Sequence, residues 1–487
     1  MKKISWKYIL WTVLIIVQAY WIFNSDGFYF IDDSCHFNFN RHYFESYTGS
    51  TDAWHRMGRL LLFAIPAQFG LKGVQIASSV LFLLTIFFAY KILIHKNVKY
   101  AEWIIPLIGF QPVLFNISYT SLAELPAAFL IILSYYYFIK EKPSFVMITS
   151  SLIFIFRTEY FYVAGIFFLI YLFRKNYKVC LLIFIGPLLW YIYTTVITLD
   201  PLQFFRDMLL HSRLEKIDAG IDWYYYIIHS AKIFGVIQMI LLISGLIIIL
   251  IKKQFRQYGL ILIFIVSGIG LQTLLALKGL NLTCSIGQLR YVAVVGPLIG
   301  IISVIGLGSF YNLLKFTYLR KIIQILILIV LFILGPYFTP FHNKYGMDII
   351  TEEIAKSAAN EYPDYKVLSQ MHQLANAMDE PFLGGETFKK LNDSTVQRFD
   401  KSLIVWCNYL EGNAFVIKNL SLKQIESLPN IKLIKEYIDT VNNCTSVPVY
   451  KYRKEGDEYK TSREIIDYLV EGQTSWETYH IKVFKKE

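Results

Sequence analysis

Long runs of apolar residues recur along the first 340 residues of the chain. Most of them are long enough to cross roughly 30 Å of hydrocarbon as a helix that rises about 1.5 Å per residue. They cover residues 6–23, 74–94, 103–118, 121–139, 145–156, 159–173, 179–198, 224–251, 258–277, 291–309 and 322–340. The run at 145–156 is short, so one broken or re-entrant element with its neighbour is an alternative there. The pattern predicts an all-α polytopic membrane protein with about eleven transmembrane helices.

Composition excludes the other broad classes of protein. Hydrophobic residues make up 55% of the chain and charged residues 17%, against roughly 25% charged in ordinary soluble proteins. A soluble globule and an intrinsically disordered chain are therefore both excluded. Five cysteines in 487 residues are too few for a disulfide-rich scaffold.

Positive charge is concentrated in the membrane part. Residues 1–340 contain 28 Lys and Arg against 14 Asp and Glu, whereas residues 341–487 contain 19 against 22. We therefore predict a transmembrane domain over 1–340 and an extracytoplasmic soluble α/β domain over 341–487. Anionic membrane lipid is an expected partner of the basic loops. Nucleic acid is not, because the soluble domain has no basic stripe.

Alternate loops between the apolar runs differ in charge, which predicts their orientation. One set contains most of the lysines, and the opposite set contains 12 of the 14 acidic residues of the membrane part. Because lysine and arginine are enriched in cytoplasmic loops, the N-terminus is predicted to be cytoplasmic and the tail external. The first run has no small-residue cleavage site, so we interpret it as a retained signal anchor.

The tail has the pattern of a small α/β domain. Short β-type runs cover Ser402–Cys407, Val447–Tyr452 and Tyr479–Phe484, and a helical pattern covers Asp348–Tyr362. No Walker loop or GxGxxG motif occurs in the chain, which argues against a nucleotide-driven pump.

Carboxylates lie where predicted spans meet the outer face. Asp32 and Asp33 follow the first run directly, and Glu124 begins an otherwise apolar run. A charge costs roughly 2.5 to 3.5 kcal/mol at the centre of a membrane helix unless it faces a polar environment. Glu124 is therefore expected to point into the protein. For the aspartate pair, a hydrated acidic loop is the alternative interpretation.

Two arginines lie at the same predicted face. Arg157 and Glu159 are two positions apart between two apolar runs, and Arg290-Tyr291 opens a late run six residues before Pro297. An internal salt bridge between helices is the structural alternative for the first pair. A planar guanidinium also suits phosphate, because it binds two oxygens and stays protonated.

Taken together, these residues resemble the GT-C superfamily of polyprenyl-phosphate-sugar-dependent membrane glycosyltransferases. The similarity is to bacterial members of the arabinofuranosyltransferase and protein O-mannosyltransferase kind, and it extends over residues 1 to about 310. Asp32-Asp33-Ser34-Cys35-His36 with Arg41 is similar to their Asp-Asp-Ala-Phe-Ile loop and the arginine-rich sequence after it.

Three further elements of the family have counterparts. Ser121 to Glu124 resembles a small-residue-plus-Glu element, and Arg290-Tyr291 resembles an Arg-Tyr opening of a late span. Arg157-Thr158-Glu159-Tyr160 resembles an Arg-Pro-Glu-Gly element, with threonine and tyrosine as departures.

The resemblance implies an inverting glycosyltransferase in the cell membrane, in bacteria the inner membrane. The donor would be a polyprenyl-phosphate-linked sugar, and the acceptor a hydroxyl of a glycan, lipid or protein at the outer face. The implied general base is Asp32 or Asp33, with Asp32 favoured. The residues implied for the donor phosphate are Arg290, Arg157, Lys278 and Arg213, and those for the substrate pocket are Glu124, Glu159, His211 and Tyr291.

The scheme requires no cofactor. A divalent metal held by Asp32, Asp33 and Glu124 is the less favoured alternative. His211 and Arg213 have a simpler interpretation as part of a solvated amphipathic loop helix. On the outer side, Cys35 with Cys284 and Cys407 with Cys444 are either oxidised pairs or free thiols.

Two other functions stay open. A multispan transporter or lipid-linked glycan flippase also combines many spans with a few charges, but it places them near the midplane, often within internal repeats. A glycan polymerase would carry a large loop rich in arginine and histidine. The loop at residues 199–223 is the one candidate for such a loop, and it is short.

Overall fold

The chain forms a helical membrane part followed by a small sheet domain. The computed structural model describes residues 6–29, 31–45, 55–213, 221–277, 288–313, 316–337, 341–344, 346–408, 420–443 and 475–487. The predicted strand Val447–Tyr452 lies outside these residues.

Nineteen α-helices precede residue 341 in the described residues. They are α1 (Trp6–Asn24), α2 (Ile31–Arg41), α3 (Met57–Ala67), α4 (Gly70–His95), α5 (Ile104–Gly109), α6 (Pro112–Ile117), α7 (Glu124–Ile139), α8 (Pro143–Ser151), α9 (Tyr162–Phe173), α10 (Tyr177–Cys180), α11 (Ile185–Thr198), α12 (Gln203–Arg213), α13 (Tyr225–Ile228), α14 (Ser230–Phe234), α15 (Val236–Ile251), α16 (Phe255–Ala276), α17 (Leu289–Ala293), α18 (Gly296–Leu313) and α19 (Thr317–Tyr337). Short 3-10 helices cover Ala101–Trp103, Leu152–Ile155, Thr158–Tyr160 and Leu181–Phe184.

Four helical stretches in the described residues are long and apolar enough to cross a membrane. They are Trp6–Asn24, Gly70–His95, Tyr177–Thr198 and Phe255–Ala276. Six shorter apolar helices accompany them, over Met57–Ala67, Glu124–Ile139, Pro143–Ile155, Thr158–Phe173, Val236–Ile251 and Gly296–Asn312. The chain is therefore a membrane protein, and its predicted number of spans stays a prediction.

The predicted continuous spans at 103–118 and 224–251 are broken in the structure. The run at 103–118 divides into α5 and α6, and the second helix begins at Pro112, which has no backbone N–H to continue the first. The run at 224–251 divides at Gly235, whose φ of 91° is disfavoured for residues with a side chain. Only α15 then remains of that run as a longer apolar helix.

Burial separates a protein-facing from a lipid-facing surface on α15. Gln238, Leu241 and Leu242 are buried, whereas Ile243 and Ile247, one helical turn apart, are exposed at 55% and 48%. An exposed apolar stripe of this kind suits contact with lipid. Helices α1, α4 to α10 and α13 to α19 contribute buried side chains to one apolar core.

The tail forms an α/β domain. Its helices are α20 (Gly346–Glu361), α21 (His372–Ala377), α22 (Asp393–Arg398) and α23 (Leu422–Glu426), and its strands are β1 (Lys366–Ser369), β2 (Phe388–Lys390), β3 (Ser402–Cys407), β4 (Ile431–Asn443) and β5 (Ser475–Lys486). In the described part the strand order is β2-β1-β3-β5-β4. Strand β1 is parallel to β2 and β3, and β5 is antiparallel to β3 and β4.

Both faces of the sheet are covered. Leu403 and Val405 of β3 belong to one apolar cluster with α20 and α21, whereas Ile404 and Trp406 belong to a second cluster with α22 and α23. Burial on both faces explains why β3 is continuously apolar in sequence. The predicted strand at Ser402–Cys407 and the predicted helix at Asp348–Tyr362 are confirmed, the latter within two residues at its start and one at its end.

Candidate functional site

Helix ends and helix breaks bring four distant segments to one place. Asp32 lies in the first turn of α2, Glu124 is the first residue of α7, and Arg290 is the second residue of α17. Arg157 has an extended backbone between two 3-10 helices. The carboxylates at helix N-termini are favoured by the positive end of the helix dipole.

The buried carboxylate of Glu124 is shared by two arginines. Arg157 donates a hydrogen bond from Nη2 to Glu124 Oε1 at 2.9 Å, and Arg290 Nε lies 3.0 Å from the same oxygen. The other end of Arg290 donates from Nη2 to a carboxylate oxygen of Asp32. Residues 258 positions apart in sequence are thus paired directly.

The pairing continues to a third carboxylate and a third arginine. Arg157 Nε lies 3.2 Å from Glu159 Oε1, and Arg56 Nη2 lies 3.6 Å from Glu159 Oε2. Arg56 also donates from Nη1 to Thr158 Oγ1 at 2.9 Å. We call this row of alternating charges the charge chain, made up of Asp32, Arg290, Glu124, Arg157, Glu159 and Arg56.

Exposure differs along the charge chain. The side chain of Glu124 is 2% exposed and that of Arg290 is 5% exposed, whereas that of Asp32 is 22% exposed. Buried ions persist only where partners compensate for their lost hydration, and Glu124 has two such partners. Asp32 is therefore the most solvent-accessible residue of the charge chain.

Tyr291 supports both arginines from one side. Arg157 Cζ lies 4.5 Å and Arg290 Cζ 5.5 Å from the centre of its ring. Cations at such distances from an aromatic face are attracted to it. The hydroxyl of Tyr160 donates to the Tyr291 carbonyl at 2.5 Å, which fixes the start of α17 against the segment that carries Arg157.

Asp33 has a different environment from Asp32. Its side chain is buried and accepts hydrogen bonds from the Ser121 backbone N–H at 2.7 Å, the Ser121 hydroxyl at 2.6 Å and the Tyr29 backbone N–H at 3.2 Å. Burial raises the pKa of the Asp33 carboxyl, and the hydrogen bonds oppose part of that rise. Asp33 thus joins α2 to the segment that leads into α7, whereas Asp32 pairs with Arg290 and is partly exposed.

Two arginines beside the site were missed by the sequence analysis. Arg56 belongs to the charge chain, and Arg59 is fully buried on α3. Arg59 donates from Nε to the His55 carbonyl at 2.9 Å and from Nη1 to the His36 carbonyl and Asn40 Oδ1, both at 3.1 Å. Both arginines lie at the start of Met57–Ala67, a stretch that is not among the predicted apolar runs, so neither charge stood out in the sequence.

Several predicted site residues are not described at the level of their side chains. Lys278 lies outside the described residues, and His211 and Arg213 end α12 with side chains that the structure does not describe. Cys284 and Cys444, one member of each proposed cysteine pair, also lie outside them. Among the described residues, no group of three or more His, Cys, Asp or Glu is arranged to hold a metal ion.

Comparison with known proteins gives a match in structure but not in sequence. No family model and no curated protein sequence matches the chain. The fold is similar to ArnT from Cupriavidus metallidurans bound to undecaprenyl phosphate, with a TM-score of 0.59, 10% sequence identity, and coverage of 83% of this chain and 93% of ArnT.

The apo state of the same ArnT gives a similar result. Its TM-score is 0.57 at 12% identity, with coverage of 81% of this chain and 92% of ArnT. The two comparisons show that the chain shares the fold of ArnT.

Proposed function

We propose that the chain is a membrane glycosyltransferase of the GT-C kind. It transfers a sugar from a polyprenyl-phosphate donor to an acceptor hydroxyl at the outer face of the cell membrane, with inversion. The observation that carries the proposal is the charge chain, in which four distant segments supply an accessible carboxylate and paired guanidiniums. The similarity to ArnT, whose structure holds undecaprenyl phosphate, supports the lipid-phosphate part.

Asp32 is the proposed general base. As the acceptor oxygen bonds to the anomeric carbon, its proton passes to the Asp32 carboxylate, and the bond from that carbon to the phosphate oxygen breaks. Attack from the face opposite the phosphate inverts the anomeric centre. The phosphate keeps the electron pair of the broken bond and leaves as the lipid phosphate.

Arg290 and Arg157 are the proposed binding residues for the donor phosphate. Arg290 contacts both Asp32 and Glu124 in the structure. A phosphate that takes the place of Asp32 on this guanidinium leaves the Asp32 carboxylate free to accept a proton. Glu124 holds both arginines while this exchange takes place, and the scheme needs no metal to balance the phosphate charge.

The first experiment tests Asp32 by single-turnover transfer with purified protein and a polyprenyl-phosphate sugar. Asp32→Asn keeps the size of the side chain but removes the base, so the rate is expected to fall by about 10²- to 10⁴-fold while donor binding persists. Asp200→Asn is the matched control, because Asp200 pairs with Arg206 outside the charge chain. Transfer by Asp32→Asn at the normal rate would exclude Asp32 as the base.

A second experiment tests Arg290. Arg290→Ala is expected to weaken donor binding and to slow transfer, because the phosphate contact exists in both the ground and the transition state. Lysine at this position should restore function only in part, because a point charge cannot bind two oxygens as a guanidinium does. Unchanged donor binding in Arg290→Ala would exclude Arg290 as a phosphate ligand. Donor binding without any transfer by the wild type would favour a transporter instead.

A further inference from the structure

Helix α2 presents one polar face to the C-terminal domain. Ser34, Asn38 and Arg41 are spaced by four and three residues, so they lie on the same side of the helix. All three contact residues 376–382, which comprise the end of α21 and the segment after it. Asp32, the proposed base, lies half a turn from Ser34 on the same helix.

The centre of this contact is an amide pair formed by Asn38 and Asn376. Asn376 donates from Nδ2 to the Ser34 hydroxyl at 2.9 Å and to the Ser34 carbonyl at 3.0 Å. Its Oδ1 accepts from Asn38 Nδ2 at 3.0 Å. Both groups of the Asn376 side chain are therefore bound to α2.

Asn38 completes the contact from the other side. It donates to the Glu380 carbonyl at 2.9 Å, and its Oδ1 accepts from the Phe382 backbone N–H at 2.8 Å. Asn38 and Ser34 are each 1% exposed. Because an unsatisfied polar group is costly when buried, one relative position of α2 and the domain is strongly preferred over shifted ones.

A second contact holds the residues just before α2. The His342 carbonyl accepts from the Gly27 backbone N–H at 2.6 Å, and the His342 N–H donates to the Ser25 hydroxyl at 3.0 Å. The backbones approach so closely here that a side chain at Gly27 would lie 2.3 Å from the Asn343 carbonyl oxygen. The Lys344 backbone N–H also donates to Asp26 Oδ1 at 3.1 Å.

We infer that the C-terminal domain positions the proposed base. Residues 342–344 hold the chain before Asp32, and residues 376–382 hold the helix after it, so the segment 25–41 is fixed from both ends. Asn376 is a positioning residue that acts on Asp32 through Ser34 and Asn38. This inference rests on the proposed function, because it assigns a catalytic consequence to the position of Asp32.

The test compares two asparagine variants of the full chain in lipid nanodiscs. Asn376→Ala removes the amide pair. Asn392→Ala is the matched control, because Asn392 caps α22 in the same domain and its hydrogen bonds go to Lys390, Ser394 and Thr395. Asp379→Asn is a milder second variant, which weakens the exposed contact with Arg41.

Three quantities are measured: hydrogen exchange of the α2 amides, kcat, and KM for the donor. In Asn376→Ala, we expect exchange across residues 31–41 to accelerate by about 10-fold or more and kcat to fall by roughly 10- to 100-fold, since small misplacements of a reacting group are costly. Donor KM should change by less than about 2-fold, because Arg157 and Arg290 are not on α2. Asn392→Ala should leave all three unchanged, and Asp379→Asn should shift exchange and kcat in the same direction by less.

Wild-type exchange across α2 in Asn376→Ala would overturn the inference whatever the activity. Faster exchange with an unchanged kcat would overturn the positioning role. A rise in KM without a fall in kcat would also contradict it. Failure of the proposed function is separate, because it shows as an inactive wild type or a fully active Asp32→Asn variant, while the exchange measurement still tests the contact.

Discussion

Replacing Glu124 by glutamine tests whether the charge chain is a stabilising unit. The substitution keeps the shape of the side chain and an oxygen for Arg157, but it removes the negative charge between two buried arginines. Each unit charge about 4 Å away contributes roughly 4 kcal/mol at an effective permittivity of 20. The two attractions of Glu124 are opposed by the desolvation of the buried ions, which costs several kcal/mol for each ion.

The net expectation is a loss of about 3 to 5 kcal/mol in the free energy of unfolding, the range found when one partner of a buried ion pair is removed. The assay is equilibrium unfolding of the purified protein in mixed micelles, with the variant and the wild type at the same pH and salt. Glu352→Gln is the control, because Glu352 pairs with Lys344 where both side chains are about two-fifths exposed. Its effect should stay below about 1 kcal/mol.

The comparison between the two variants decides the outcome. If Glu124→Gln costs no more than Glu352→Gln, the arginines find other partners and Glu124 does not hold the site together. If it is more stable than the wild type, the desolvation of Glu124 exceeds its attraction to both arginines, and the reasoning fails in sign as well as size.

Two further predictions concern groups outside the charge chain. Asp33→Asn should lower the free energy of unfolding by about 1 to 3 kcal/mol, because an amide N–H would then face the Tyr29 N–H. The transfer rate should stay near normal, and a large loss of transfer in single-turnover measurements would contradict this. Burial lowers the pKa of His372 to about 3, so its neutral form is favoured in the fold and stability is lost as the pH falls below the ordinary value of 6.5. Between pH 7.5 and 5 this group should lower the free energy of unfolding of the wild type by about 2 kcal/mol. In chemical unfolding, the free energy of unfolding of His372→Phe should fall by correspondingly less. Equal losses in both proteins would rule the effect out.

The pattern of apolar residues in the sequence predicted the elements whose burial is uniform along their length. Strand β3 is buried on both faces, so its apolar run identifies it residue by residue. The breaks within predicted spans were missed because they depend on backbone conformation. Gly235 and Pro112 lie in runs that are apolar on average, and a hydropathy average does not register a positive φ or a missing backbone N–H.

The site residues could be predicted where a charged side chain lies within or beside an apolar run of the sequence. Asp32, Glu124, Arg157 and Arg290 were chosen on that ground or by resemblance, and the structure brings all four together. Arg56 escaped because it stands in a polar loop, where a charge needs no explanation. The pairing of Arg157 with Glu159 was among the alternatives because the two are neighbours in sequence. The pairing of Arg290 with Asp32 could not be predicted, since it depends on how segments 258 residues apart pack.

The charge chain also determines how the site responds to ions in solution. It contains three carboxylates and three guanidiniums, and nearby Asp33 and Arg59 add one formal charge of each sign among the described residues. Equal and opposite charges so close together cancel beyond a few ångströms, so these residues exert little long-range pull on an anion. An anionic ligand can contact an arginine of the charge chain only if it displaces a carboxylate that already contacts that arginine. Ionic strength should therefore have little effect on the rate at which ligands reach this site, and lateral diffusion within the bilayer would bring a lipid ligand to it.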